Sequence, residues 1–487
     1  MKAVRQAVID IGSNTVRLVV YAGAPRAPLP IYNEKSRVKL GACLAGDGEI
    51  DKATMKKALA ALARFETLAR AMKVDSMRVV ATAATREAKN GQELVNKAAA
   101  LGIRVDVLDG DAEATAAGHG VLSDNPLANG YVGDLGGGSL ELIRIADGKL
   151  GARVSLPLGT LRHDILTGKS AKQITQMLRD DIAKAMGKNA FPIEAGLPFY
   201  MIGGSWRSFA RLHMHATGYP LTILANYEMP PEAPELLTPL AQDRDALTRS
   251  NVIATGRISE LPGATALLSG IIGLLKPNKL VTSIYGLREG LLYEQLPPAE
   301  RSQDPLIAAA RFEGGRLGRF PFHGDALAEW IAPVFAGQSA HDARLCRAAC
   351  LLSDSVWNVN PEYRADHALD LALDGSWPGV SASDRAVIAA ALWTVHAGKR
   401  TLPEMLAALA TPGALAQAVI WGLAIRLAHR LDGGTGGALP DSRIDGDGAT
   451  LRLHLSGSAV RLQSNSVQRR LQALGEALGY AQAEVLG

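Results

Sequence analysis

The sequence predicts an α/β protein with two related lobes, followed by a helical domain and a small α+β segment. Over the first 300 residues or so, short apolar runs of strand character alternate with helical patterns. A glycine-rich turn follows such a run twice, at 10–15 (DIGSNT) and at 134–139 (DLGGGS). From about residue 305 to 430 the chain becomes rich in alanine and leucine at helical spacing.

The elements of the first lobe follow from its apolar periodicity. One long segment, 51–72, has the alanine, leucine and lysine pattern of an amphipathic helix. Strands are predicted at 7–11, 15–21, 76–81 and 105–108.

The second lobe repeats this pattern. Strands are predicted at 130–134, 140–145 and 199–202, and a helix at 262–275. Because the two glycine turns occupy equivalent places, we interpret the lobes as a degenerate internal duplication.

The paired prolines Pro297 and Pro298 cannot continue a helix and mark a boundary. Beyond them, helices are predicted at 325–335, 343–356, 383–397, 402–410 and 414–431. After a glycine-rich loop, a hairpin of 451–455 with 459–462 and a helix at 467–478 are predicted. We divide the chain into four parts: 1–127, 128–300, 301–432 and 433–487.

Composition narrows the class of protein. The 487 residues are 47% hydrophobic and 21% charged, which excludes a disordered chain. A net charge of +4 is too small to indicate nucleic-acid binding. No run approaches the ~18 apolar residues of a membrane span, and the three cysteines form no metal or disulfide pattern. We expect a cytoplasmic protein with free thiols.

The two turns predict a site for phosphate. Small residues expose backbone N–H groups that close around phosphate oxygens. Asp134 and Glu141 flank the second turn, and a hairpin there presents both carboxylates to one site, where they bind Mg²⁺ or position water. Asp10 supplies a further carboxylate from the first turn. A lone aspartate of this kind would more simply cap its turn, but two in the same context favour the functional interpretation.

Two further residues have an ordinary and a functional interpretation. Arg86 follows a predicted strand, where it either grips a phosphate bidentately or merely caps a helix at the surface. Glu113 lies in the first turn of a predicted helix. It either stabilises the positive end of the helix dipole or takes a proton from an attacking water. Spacing alone does not choose between these.

Six blocks in this order resemble the exopolyphosphatase and guanosine pentaphosphate phosphohydrolase family. The triple-glycine block with its following glutamate is the most specific of them. The resemblance covers roughly residues 5–300, and the blocks are 10–15, 81–86, 110–114, 134–141, 203–207 and 286–290. That family belongs to the sugar kinase, heat-shock ATPase and actin superfamily, which implies two ribonuclease-H-like lobes around a phosphate-binding cleft.

The resemblance also implies roles for individual residues. Glu113 would be the general base for water, Asp134 and Glu141 would position metal and water with Asp10 near the metal, and Arg86 would grip phosphate. The residues implied as phosphate cradles are Gly12, Ser13, Asn14, Gly136, Gly137, Gly138 and Ser139. The implied reaction is Mg²⁺-dependent removal of the terminal phosphate of inorganic polyphosphate or guanosine pentaphosphate.

Two departures from the family pattern are visible. Ala112 precedes Glu113 where the family often has a second glutamate. The helical domain resembles the family's HD-like domain, but Ser353 stands before Asp354 where a metal-binding histidine would stand. We therefore expect an HD-like domain without an intact His-Asp pair, which extends a track for the polymer and supports a homodimer.

Three functions follow in order of preference. The first is an Mg²⁺-dependent exopolyphosphatase, favoured because the helical domain offers a long surface to a polyanion. The second keeps the site and changes the substrate to guanosine pentaphosphate. The third is a kinase or nucleotide-regulated binding protein that uses the cleft for ATP.

Overall fold

The structure, a computed structural model, describes residues 4–45, 47–187, 189–398 and 401–487. The chain divides into two compact units, Met1–Ser302 and Gln303–Gly487. The finer division of each unit into two domains stays a prediction. Within the described ranges no helix is long and apolar enough to cross a membrane.

The first sheet has the strand order β3-β2-β1-β4-β5, in which β1 pairs antiparallel with β2 and parallel with β4. Its strands are β1 Gln6–Ile11, β2 Thr15–Ala24, β3 Ala27–Arg37, β4 Ser76–Ala81 and β5 Asp106–Val107. The helices of this part are α1 Lys52–Ala71, α2 Ala83–Glu87, α3 Gly91–Ala100 and α4 Gly110–Asp124, with a 3-10 helix at Leu40–Ala45. The four strands and the long helix predicted here are confirmed.

The second sheet has the order β10-β11-β9-β6-β7-β8. Its strands are β6 Gly130–Leu135, β7 Leu140–Ala146, β8 Lys149–Leu156, β9 Phe199–Ile202, β10 Glu228–Met229 and β11 Leu280–Thr282. The helices are α5 Ala171–Met186, α6 Gly204–Ala216, α7 Ala233–Gln242, α8 Arg244–Ser250, α9 Thr255–Ile258, α10 Leu261–Leu275, α11 Leu287–Glu294 and α12 Pro298–Arg301, with a 3-10 helix at Thr160–Leu166.

The two sheets share one topology. The order β8-β7-β6-β9-β11 repeats β3-β2-β1-β4-β5, with the same antiparallel meander and the same switch to parallel pairing. In each lobe a 3-10 helix follows the third strand. This order is that of ribonuclease-H-like lobes, so the predicted fold class is confirmed, and the topology supports the internal duplication.

Two helices lie between the sheets. On α4, Ala116 packs with Val8 and Val80 of the first sheet, whereas Ala117 packs with Ile143 of the second. The partner helix α11 joins the first of these clusters through Leu291. The outer face of each sheet has a larger apolar core of its own. The layer that α4 and α11 form therefore connects the lobes.

Glycine allows α4 and α11 to approach each other closely. A Cβ on Gly290 would lie 1.7 Å from the carbonyl oxygen of Ala116, and a Cβ on Gly120 would lie 2.4 Å from that of Gly286. Neither neighbour is a flexible side chain. Backbone therefore meets backbone where the helices cross.

The second unit is helical and ends in a small sheet of order β12-β13-β14. Its helices are α13 Pro305–Leu317, α14 His323–Ile331, α15 Ala340–Leu352, α16 Arg364–Asp374, α17 Ala382–Ala397, α18 Pro412–Asp432 and α19 Asn465–Leu478. Its strands are β12 Ser442–Asp447, β13 Thr450–Leu455 and β14 Gln482–Leu486, and 3-10 helices lie at Ala332–Phe335, Pro361–Tyr363, Glu404–Ala408 and Gly457–Leu462.

Two predictions in this unit were wrong. Residues 402–410 contain only the 3-10 helix Glu404–Ala408, because Pro403 precedes it and Thr411 is held extended before a proline. The strand predicted at 459–462 is a 3-10 helix, and β13 instead pairs with β12 across a two-residue turn. Gly448 in that turn has φ +51°, a conformation that glycine adopts readily. The dipeptide Asp447-Gly448 is a typical hairpin-turn sequence.

The helix crossing gives the first prediction. Replacing Gly290 by alanine should destabilise the first unit by about 3 kcal/mol or more, because the new Cβ meets a carbonyl oxygen that cannot move independently. Thermal unfolding of the full chain measures this. Gly315→Ala, in α13, is the control: its nearest neighbours lie 3.7 Å or farther away, and it should be neutral or slightly stabilising. Equal effects of the two substitutions would contradict the packing argument.

Candidate functional site

The two glycine turns have the same internal geometry and lie against each other. The N–H of Gly12 donates to the carbonyl of Thr15 at 3.0 Å, and that of Gly136 donates to the carbonyl of Ser139 at 3.0 Å. A Cβ on Gly137 would lie 3.1 Å from the Cβ of Ser13. The prediction that two such turns face one cleft is thus met in the geometry of the first unit.

The 3-10 helices hold the turns in place. The N–H of Gly41 donates to the carbonyl of Ser13 at 2.7 Å. In the second lobe, the N–H groups of Thr160 and Leu161 donate to the carbonyls of Gly136 and Gly137 at 3.0 and 2.9 Å. These bonds use carbonyl groups. The N–H groups of Ser13, Asn14, Gly137 and Gly138 form no hydrogen bond within the described chain and remain available to a ligand.

Strand register places a charged pair beside each turn. Asp134 lies directly opposite Glu141 in the β6–β7 pair, and Asp10 lies directly opposite Arg17 in the β1–β2 pair. Residues paired in this way share one face of a sheet. The equivalent positions therefore carry two acids in the second lobe and an acid with a base in the first.

Glu113 is held at the start of α4. The Asp109 side chain caps this helix by accepting from the N–H of Ala112 at 2.8 Å. Glu113 is 7% exposed, and its Oε2 accepts from Nη1 of Arg86 at 3.1 Å. The same Nη1 donates to the carbonyl of Leu108 at 2.7 Å. Arg86 therefore orients the Glu113 carboxylate.

The acids of the site repel one another. Burial raises the pKa of Glu113 to about 7, against the effect of Arg86. Burial also raises the pKa of Asp134 to about 6, with a contribution from Asp10. Burial and the Glu113 carboxylate raise the pKa of Glu141 well above its usual range. Such a cluster is stabilised by a bound cation or by protonation.

Arginines face the same cleft. Nη1 of Arg288 donates to Oδ2 of Asp10 at 3.2 Å. Burial, with the guanidinium groups of Arg288 and Arg17, lowers the pKa of Arg207 to about 10. Nη1 of Arg257 pairs with Oε2 of Glu260 at 2.5 Å. Positive charge therefore lines the cleft beside the acids.

These groups surround a cavity of about 180 Å³. Glycine and polar side chains from both turns form much of its wall. Its charged lining consists of Asp10, Glu113, Asp134, Arg17, Arg207, Arg257 and Arg288. No aromatic ring belongs to the described lining, so the cavity suits phosphate groups better than a stacked base.

The structure brings together most of the predicted site residues. All seven predicted cradle residues line the cavity with Asp10, Glu113 and Asp134. Arg86 and Glu141 lie behind the wall: Arg86 contacts Glu113, and Glu141, 1% exposed, accepts from Oγ of Ser155 at 2.8 Å. The roles assigned to these residues stay predictions.

Four arginines of the cavity were not predicted as site residues. Arg207 and Arg288 stand in the glycine-containing blocks 203–207 and 286–290, which was a usable signal. Arg17 lies seven positions after Asp10, as Glu141 does after Asp134, so the duplication itself pointed to it. No local motif marks Arg257.

The acids fit a divalent cation that also binds substrate. Within the described residues, no three Asp, Glu, His or Cys side chains form a group that could hold a metal ion. Mg²⁺ commonly takes one or two carboxylates and completes its coordination with substrate phosphates and water. Asp10 and Asp134 line the cavity beside both turns, which suits that mode. The assignment of Glu141 to the same ion stays a prediction.

The model of the Ppx/GppA phosphatase family matches residues 19–299. The chain belongs to the Ppx/GppA phosphatase family. A second model, described as the C-terminal domain of exopolyphosphatase, matches residues 307–485. The resemblance noted from the motifs is thereby confirmed.

Curated relatives are similar over part of their length. Retrograde regulation protein 2 of Saccharomyces cerevisiae is 26% identical over 343 residues, covering 62% of this chain and 58% of that protein. Exopolyphosphatase 1 of Mycobacterium leprae is 30% identical over 220 residues, covering 43% of this chain and 64% of that protein. The chain thus spans about three fifths of the length of these relatives.

Solved structures agree in fold. The Ppx/GppA family member of Aquifex aeolicus superposes with a TM-score of 0.53 at 21% identity, covering 62% of this chain and all of the other. An exopolyphosphatase of Cytophaga hutchinsonii gives a TM-score of 0.51 at 23% identity, covering 59% of this chain and 96% of the other. At these identities the comparison establishes the architecture.

The buried acids give the second prediction. Burial raises the pKa of Asp134, so ionised Asp134 destabilises the folded chain. This destabilisation is absent below the unfolded-state pKa near 3.8 and is complete above about 6. Asp134→Asn should therefore raise the unfolding temperature by several degrees at about pH 8, and the gain should vanish toward pH ~4. Metal-free thermal unfolding across this range measures the difference.

The control for this prediction is Asp180→Asn, an exposed position on α5. It should change the unfolding temperature little at either pH. A stabilisation by Asp134→Asn that is independent of pH would show that charge is not its origin.

Proposed function

We propose that the chain hydrolyses the terminal phosphoanhydride of inorganic polyphosphate and releases orthophosphate, with Mg²⁺ as cofactor. One observation carries the proposal: Glu113, oriented by Arg86, lines the same cavity as two glycine turns with available N–H groups. A proton acceptor and a phosphate cradle therefore share one space. The family and the exopolyphosphatase relatives support this reaction class.

The turns and arginines would bind the terminal phosphate. The N–H groups of Ser13, Asn14, Gly137 and Gly138 are available on two turns that lie against each other. Arg207 adds a guanidinium whose fork matches phosphate oxygens. Negative charge spreads over these oxygens in the transition state, where fixed donors stabilise it without reorganisation.

Glu113 would orient and deprotonate the attacking water. The water oxygen forms a bond to the terminal phosphorus, its proton passes to the Glu113 carboxylate, and the bond to the bridging oxygen breaks. Arg86 keeps the carboxylate in position from behind the wall. A base with a pKa of about 7 is well matched to neutral pH. Mg²⁺ held by Asp10 and Asp134 would neutralise phosphate charge.

Guanosine pentaphosphate is the alternative substrate. It ends in the same phosphoanhydride, and the glycine-rich, charged lining of the cavity of about 180 Å³ suits its phosphate groups rather than its base. The absence of aromatic rings from the described lining favours polyphosphate, and it argues against a kinase that encloses adenine. The homodimer stays a prediction, which light scattering of the purified chain would test.

The third prediction concerns the base. Glu113→Gln should reduce orthophosphate release from long-chain polyphosphate by ~10²–10⁴-fold, because the amide cannot accept the proton. The assay compares polyphosphate with guanosine pentaphosphate at matched concentrations of chain ends in the presence of Mg²⁺. Faster release from polyphosphate supports the proposed substrate, and faster release from the nucleotide selects the alternative.

The matched control is Asp111→Asn, an exposed acid two residues earlier on α4 that pairs with Arg153. It removes the same charge from the same helix and should retain most of the activity. If Glu113→Gln is as active as this control, Glu113 is not the base.

The fourth prediction concerns pH. Because Glu113 must be ionised, kcat/KM should fall below an apparent pKa of about 7. Arg86 stabilises the carboxylate, so Arg86→Gln should move this acid limb to higher pH. A pH profile of wild type and variant measures the shift. A limb that stays in place in Arg86→Gln would show that another group titrates.

A further inference from the structure

A second cavity, of about 220 Å³, lies inside the second unit. Helices α16, α17, α18 and α19 contribute to its wall, together with the segments that follow α13 and α15. Two histidines, His396 and His429, line it. So do four arginines, Arg319, Arg364, Arg426 and Arg470. We call this cavity the basic pocket.

The charges of the basic pocket are unbalanced. Asp354 is the one carboxylate in the described lining of the pocket, and it is paired with Arg319. Nη2 of Arg319 lies 2.6 Å from Oδ1 of Asp354, and the backbone N–H of Arg319 donates to Oδ2 at 2.8 Å. Within the described ranges, Arg364, Arg426 and Arg470 form no ion pair with a carboxylate. Three positive charges are therefore left without a counter-charge.

Backbone carbonyls hold these three arginines in place. Nε of Arg364 donates to the carbonyl of Val359 at 2.9 Å, and Nη1 of Arg426 donates to that of Val395 at 2.6 Å. Nη1 of Arg470 donates to the carbonyl of Arg426 at 2.8 Å. Such bonds orient a guanidinium without neutralising it. The pocket is thus organised before any ligand arrives.

The arrangement costs stability in the absence of an anion. Burial, with the neighbouring charges of Arg426 and Arg430, lowers the pKa of Arg470 to about 10. Burial, with Arg364 and Arg426, lowers the pKa of His396 to about 4. Nε2 of His396 is buried and has no hydrogen-bond partner in the described part of the chain. An anion would relieve the repulsion among these positive charges.

We propose that the basic pocket binds a compact phosphoanion, orthophosphate or pyrophosphate. Three guanidinium groups match a multiply charged oxyanion, whose oxygens accept the paired donors of each fork. The volume of about 220 Å³ lies below the ~300–1,000 Å³ of pockets that enclose drug-sized ligands, so the pocket suits a compact anion better than a nucleoside. Every residue of this pocket belongs to the second unit, so the proposal does not depend on the function proposed for the first.

The fifth prediction is that the full chain binds orthophosphate or pyrophosphate at the basic pocket. Calorimetric titration with each anion measures this binding, and chloride is used to keep the ionic strength constant. Arg470→Gln should weaken binding at the basic pocket at least ~10-fold, because a charge-assisted donor is lost. Arg469→Gln is the matched control: it is the neighbouring residue on α19, exposed and outside the pocket, and removes the same charge. It should change the affinity less than ~2-fold.

Binding at the basic pocket is distinguished from phosphate binding in the first-unit cavity by repeating the titrations in chains that also carry Arg207→Gln. Binding that depends on Arg470 should persist there. It should persist equally if the first unit proves to have no hydrolase activity, so the two proposals fail separately. Equal affinity of the Arg470→Gln and Arg469→Gln variants for both anions would overturn the proposal.

Thermal unfolding distinguishes a loss of anion binding from a folding defect in the variant. Orthophosphate or pyrophosphate should raise the unfolding temperature of the second unit in wild type and in Arg469→Gln, but not in Arg470→Gln. If Arg470→Gln does not fold, Arg364→Gln removes another guanidinium of the wall, contributed by α16, and should show the same loss of affinity. Unchanged affinity in that folded variant would equally overturn the proposal.

Discussion

The backbone contact between α4 and α11 fixes the two helices of the layer that lies between the two sheets. Side chains ordinarily separate packed helices, whereas here Gly290 and Gly120 bring one helix backbone onto the other. The helix that is fixed in this way carries Glu113 in its first turn. The position of the proposed base relative to both glycine turns is therefore a consequence of small residues elsewhere on the same helix pair.

The charges of the first-unit cavity follow from this placement. Acids from two strands and one helix converge, and burial, with a smaller contribution from their mutual repulsion, raises the pKa values of Asp134 and Glu113. Arg207 and Arg288 lie in the same space and offset part of this charge. The result is a site that is costly to hold when empty of ligand, which is the usual relation between stability and function at a catalytic centre.

Much of the fold could be predicted from the sequence, since apolar periodicity and glycine turns report local backbone preference. The strands around Asp10 and Asp134 were predicted nearly to their ends. The errors arose where local pattern misleads: residues 459–462 alternate like a strand but follow a glycine at φ +53°. Likewise β14 was missed, because its parallel pairing with β13 comes from tertiary contact.

The sequence predicted those site residues that stand in recognisable motifs. The turns and Glu113 stand in recognisable blocks, whereas Arg257 reaches the cavity from a short helix without any motif. The contact of Arg86 with Glu113 depends on two chain segments that only the fold brings together. Sequence motifs identify candidate residues of such a site, whereas the contacts between those residues are known only from the folded structure.

The duplicated lobes have a further consequence. Two equivalent turns beside one cavity offer phosphate groups two similar sets of backbone donors. The charge pairs beside the turns break this equivalence, since Asp10 faces Arg17 whereas Asp134 faces Glu141. The two lobes therefore present different charges to the cavity although their backbones correspond. Under the proposed function, a phosphate chain in this cavity would therefore lie between two walls of different charge.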